Sequence, residues 1–152
     1  MVKIMGVSLE KQNSGWDAFP AGRGGVYDLV YTASGRADAA GRLQAIEALG
    51  RSDDPRAVRP LADLLGDEDP AVRLAAAAAL GQLKSGRPVD DLVGRLRDRG
   101  EDPAIRRQVV TTLAAIRSTG ALRGLREFAA DPDEDLALRE SAQSVLRETG
   151  IW

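Results

Sequence analysis

The chain has 152 residues, with 21 basic and 23 acidic side chains for a formal net charge of −2, too balanced to mark a phosphate-binding protein. It holds neither cysteine nor histidine, which excludes a disulfide framework and thiolate chemistry and removes the usual general base and metal ligand. The length suits one domain, no apolar run approaches a membrane span, and Met1–Glu10 lacks the apolar core of a signal peptide, so a cytoplasmic protein with no membrane contact is expected.

Residues 1–24 form an N-terminal tail that matches nothing later in the chain and is punctuated by Gly6, Gly15, Pro20, Gly22 and Gly24. Its Trp16 and Phe19 are expected to dock, at least in part, on the first repeat. Gly22-Arg-Gly24-Gly25 is not a phosphate loop, because no strand precedes it and no Gly-Lys-Ser/Thr follows.

From residue 25 to 149 the chain repeats. Adding 33 carries Asp69 to Asp102, Pro70 to Pro103, Val72 to Ile105, Arg73 to Arg106 and Leu80 to Leu113. Adding 33 again reaches Asp135, Leu138, Arg139 and Leu146, and subtracting 31 reaches Asp38, Arg42 and Leu49. The four copies cover about 25–52, 53–84, 85–118 and 119–149. Each copy holds an A helix, near 25–34, 56–65, 88–98 and 120–130, and a B helix, near 39–51, 70–83, 103–117 and 135–149.

The B helices carry their own start signal. An Asp side chain accepts a hydrogen bond from an unpaired first-turn N–H, and the Pro after Asp69 and Asp102 has no N–H to lose. Four residues on stands an Arg, giving the pairs Asp38 and Arg42, Asp69 and Arg73, Asp102 and Arg106, and Asp135 and Arg139, spaced to pair along the helix for about 0.2–0.5 kcal/mol. Positions 72, 75, 76, 79, 80 and 83 are all Val, Ala or Leu and fall on one stripe, the buried face of a helix of period 3.6. Gly94 and Gly124 lie inside A helices and are expected to weaken them by about 1 kcal/mol each.

The motif Asp-Pro-x-Val/Ile-Arg-x-x-Ala/Val-x-x-Ala/Thr-Leu-Gly/Ala-x-Leu/Ile, preceded by the A-helix stretch Ala57–Leu65, resembles the short HEAT repeat of the phycobilisome-lyase-like subtype. The resemblance implies an all-α fold, an α-solenoid of four helical hairpins, with A helices on the convex side, B helices lining the concave side, and the repeated Asp and Arg tying successive turns together. For function it implies scaffolds and adaptors, with some members acting on bilin chromophores. The end copies depart from the motif, with Gly41 for Val in the first and Leu136 for Pro and Arg147 for Gly in the fourth.

At about 100° per residue, the B-helix positions opposite the buried stripe include Leu43, Ile46, Leu74, Ala77, Arg107, Val110 and Thr111. The expectation is an apolar concave patch that binds another protein, as a helix or peptide, with Arg107 and Thr111 at its edge. No cofactor, metal site or catalytic residue is expected. Asp131, Asp133 and Asp135 open like a calcium loop, but Leu136 stands at its Gly position and Ala142 at its closing Glu. Arg95, Arg97, Arg99, Arg106 and Arg107 are interleaved with Asp98, Glu101 and Asp102, as on an ordinary charged surface, and nucleic acid is not an expected partner. The chain is therefore expected to be a non-enzymatic scaffold or adaptor, with bilin handling as the alternative and self-association through Ile151-Trp152 a further expectation.

Overall fold

A computed structural model describes residues 25–150; the tail expected at 1–24, with its docked Trp16 and Phe19, and the Ile151-Trp152 pair lie outside the described residues. Those described form four helical hairpins. The A helices are α1 (Val26–Tyr31), α3 (Val58–Leu64), α5 (Val89–Arg97) and α7 (Thr119–Ala130). Alternating with them are the B helices α2 (Ala39–Arg51), α4 (Pro70–Leu83), α6 (Pro103–Ile116) and α8 (Leu136–Glu148). A π-type turn at Thr32–Arg36 continues α1, and a 3-10 turn at Pro55–Ala57 leads into α3.

The start signals act as the sequence proposes. Asp69 and Asp102 accept from the N–H of Ala71 (2.9 Å) and Ala104 (2.8 Å), each across the Pro that opens its helix, and Asp38 and Asp135 accept from Gly41 (2.7 Å) and Leu138 (3.0 Å). Capping of this kind is worth about 1 kcal/mol per helix. α4 and α6 end alike, with Lys84 (φ 52°) and Arg117 (φ 56°) in the left-handed conformation that glycine usually takes.

The core runs between the two helical layers as a file of leucines, Leu49, Leu61, Leu80, Leu92, Leu113 and Leu125, each with no exposed surface. Each contributes about 2 kcal/mol of burial. Neighbouring B helices pack along their length, whereas α3 and α5 of the outer layer hardly meet, so the array curves toward the B layer. Two glycines set the B-to-B spacing: a Cβ on Gly50 would stand 2.9 Å from Ala79 Cα, and one on Gly81 would stand 3.2 Å from Thr112 Oγ1. In the A layer Gly124 is not a weak point but a fitted contact, since a Cβ there would stand 2.6 Å from Val93 Cγ2.

Candidate functional site

Close packing of the B helices corrects the expected patch. Ile46 and Ala77 have no exposed surface and Val110 has 1%, so these three are core, not surface. The physical reason is that a B helix has neighbours on three sides, the A layer beneath and another B helix on each flank. Ile46, Ala77 and Val110 stand at one equivalent position, on the flank that the next B helix covers. The Thr112 hydroxyl, reaching across from α6, donates to the Ala77 carbonyl oxygen at 2.7 Å and helps to seal that flank.

A narrower ridge remains at the surface. Leu74 is 38% exposed, and Leu136 is the other exposed large apolar side chain among the described residues. In line with Leu74, at the same place in their own repeats, stand Leu43, half-buried, and Arg107 and Glu140, both exposed. A second line runs Glu47, Ala78, Thr111 and Ser144. Glu47 holds Arg51 at 3.1 Å along α2, and the Thr111 hydroxyl donates to the Arg107 carbonyl at 3.4 Å, one turn back. The ridge therefore passes from leucine through a cation to a carboxylate along successive B helices.

The repeated Asp and Arg do not pair with each other. Each Asp is used as a helix cap, and the Arg turns instead to the next repeat. Arg42 meets Asp67 at 2.6 Å, Arg73 meets Glu101 at 2.8 Å and Arg106 meets Glu134 at 2.6 Å. These acids lie just ahead of the next capping Asp, 25 or 28 residues away, a relationship invisible to helical spacing. Arg42 and Arg106 also donate through Nε to the carbonyls of Ala33 (3.0 Å) and Leu96 (2.7 Å), at the end of the preceding A helix. One guanidinium thus fastens three segments. Hydrogen bonding from Arg42 holds the Asp67 carboxyl below its ordinary range. Burial pushes the Glu101 carboxyl up, but the hydrogen bonds from Arg73 and Arg95 and from the Asp102 N–H outweigh it and leave the group lowered.

The remaining candidates disperse. Arg97 pairs with Glu127 at 2.9 Å and Arg99 with Glu134 at 3.6 Å, so the arginine run serves several joints and forms no single basic patch. Asp131 accepts from the Asp133 N–H at 3.0 Å and Asp135 caps α8, which accounts for the acidic loop. No group of three or more metal-ligating side chains is found among the described residues, and no helix there is long and apolar enough to cross a membrane. Helical periodicity gives no sign of a second concavity, about 400 Å3, between α3 and α5. Its trace in the sequence is Ala62 and Asp91 standing where the following joint has Val93 and Gly124.

A family model of HEAT repeats matches residues 28–100. The structure of human deoxyhypusine hydroxylase is similar to this chain with a TM-score of 0.73 and 27% identity, covering 84% of this chain and 44% of that one. The complex of CpcE and CpcF of phycocyanin lyase from Nostoc sp. is similar in fold, with a TM-score of 0.63 and 24% identity over 81% of this chain and 52% of that one. The chain thus spans about half the length of these solved structures. No curated protein matches the sequence. These likenesses overturn the expectation that the chain is no enzyme, because a hydroxylase and a lyase component share its architecture. Absence of His and Cys is therefore no ground for excluding catalysis here.

Proposed function

We propose, from the HEAT repeats matched over residues 28–100 and a fold like that of a phycocyanin lyase component, that this chain holds a partner protein on the B-helix ridge centred on Leu74. The observation that carries the reading is the exposure of Leu74 in the middle of an otherwise well-packed B layer, in line with Leu43 and Arg107. An amphipathic helix or extended segment laid across the layer meets Leu43 and Leu74 with its apolar side, while Arg107 and Glu140 fix its register by charge. A few anchor residues carry the contact, as at interfaces generally. Affinity purification of the intact chain beside its Leu74→Asp variant tests it. A protein recovered at a stoichiometric ratio with the wild type and lost with the variant, at unchanged circular dichroism, supports the ridge; equal recovery removes it.

A second reading follows from the comparisons. The chain is similar in fold to about half of one chain of the CpcE and CpcF complex of phycocyanin lyase, which supports a role within a chromophore-handling assembly. Addition of a bilin, followed by absorbance and fluorescence, checks this reading; spectra identical to those of free bilin remove it.

A further inference from the structure

The repeats differ most in how their A helices meet. Between the third and fourth, Val93 fits over Gly124 and the layer closes. The same two positions between the second and third repeats, found by subtracting 31 from 93 and 33 from 124, are Ala62 and Asp91. A methyl group facing a carboxylate does not close what an isopropyl closes against a glycine. A cleft of about 400 Å3 is left between α3 and α5, on the layer opposite the ridge. That volume falls within the range of about 300–1,000 Å3 typical of ligand sites.

The chemistry of the cleft is specific. Val58, Ala62 and Pro88 give it an apolar floor. Arg56, Arg59 and Arg87 stand around it against the one lining carboxylate, Asp91. Arg56 is fixed, chelated by Asp54 at 2.6 Å and seated over the Tyr27 ring at 5.1 Å, so it forms a wall. Arg59 is held by Asp63 at 3.0 Å, but with the two side chains 79% and 61% exposed the pair is of the weak kind that a better acceptor displaces. Arg87 is exposed and has no carboxylate in ion-pair range among the described residues.

We infer that this cleft is a docking site for an acidic peptide segment of a partner protein. One carboxylate of the segment sits between Arg59 and Arg87, a neighbouring apolar side chain covers Val58, Ala62 and Pro88, and a peptide N–H donates to Asp91. Asp91, with Asp54 and Asp63 close behind the arginines, disfavours a run of phosphates and selects an isolated acid flanked by apolar groups. Because ridge and cleft lie on opposite layers, occupation of one leaves the other accessible, the arrangement an adaptor needs.

A random-peptide display selection on the intact chain, followed by fluorescence anisotropy with the selected peptides labelled with fluorescein, tests this. The expected consensus is Asp or Glu beside Leu, Ile or Phe. Binding should weaken at least tenfold in the Arg59→Glu/Arg87→Glu double variant and in Ala62→Trp, which fills the cleft from its floor, while Leu74→Asp leaves it unchanged. A selection that yields no consensus or one without an acid, acidic peptides that bind both cleft variants as well as the wild type, or binding lost only in Leu74→Asp overturns the assignment.

Discussion

Arg73 grips Glu101 across the joint between the second and third repeats, with Nε 2.8 Å from one carboxylate oxygen and a terminal nitrogen 2.9 Å from the other. The Glu101 side chain is 1% exposed and also receives Arg95 at 3.2 Å. A bidentate pair fixes distance and orientation together, so the joint between repeats is set by a fork of hydrogen bonds as well as by apolar contact.

Glu101→Ala leaves Arg73 and Arg95 facing a site from which water is largely excluded. The expected cost is about 3 kcal/mol of unfolding free energy, read as a lowered urea midpoint. A cost under about 0.5 kcal/mol would mean that the ladder is ornamental to stability.

Acid should loosen these joints. Asp67 and Glu101 are both held below their ordinary values, which lie near pH 4, so their contribution is complete at neutral pH. It begins to fall as the pH drops below about 5, toward the unfolded values, and is lost as the pH passes through the depressed folded values. A pH series of urea midpoints should therefore show a plateau above about pH 5 and a decline below it, flattened in an Asp67→Asn/Glu101→Gln double variant.

Gly124→Ala places a methyl group 2.6 Å from Val93 Cγ2, with an expected loss of about 1–3 kcal/mol. Adding Val93→Ala should restore part of that loss, and a double-mutant cycle by thermal unfolding reads the coupling. Additive losses would show that the two residues do not meet.

Lys84 is exposed at the end of α4 in a left-handed conformation that costs a side chain about 1 kcal/mol. Lys84→Gly should raise Tm by about 2–4 °C. A fall in Tm would show that the Lys84 side chain contributes more than its backbone costs.

Much of the fold is legible along the chain because its signals are local. Asp69-Pro70 and Asp102-Pro103 announce helix starts through groups one or two residues away, and the file from Leu49 to Leu125 follows from helical period. What depends on the neighbouring repeat is not legible in this way. A single apolar stripe describes a helix covered on one side, so it misplaces Ile46, Ala77 and Val110, which the flanking B helices cover. The same limit hides the true partners of Arg42, Arg73 and Arg106, which lie a whole repeat ahead. Gly124, read along its own helix as a weakness, is explained only by Val93 of another. Leu74 and Arg107 stay at the surface, because their positions face neither flank.

A partner seated on the Leu74 ridge lies within reach of a probe placed at that residue. Site-specific photo-crosslinking in the native host, from a benzoylphenylalanine placed at position 74 and, as control, at exposed position 123 of α7 on the opposite layer and outside the cleft, separates the outcomes. A single discrete adduct is expected from position 74, absent from position 123 and suppressed when Leu43→Asp is added. No adduct from position 74, or the same adduct from both positions, would contradict that seating.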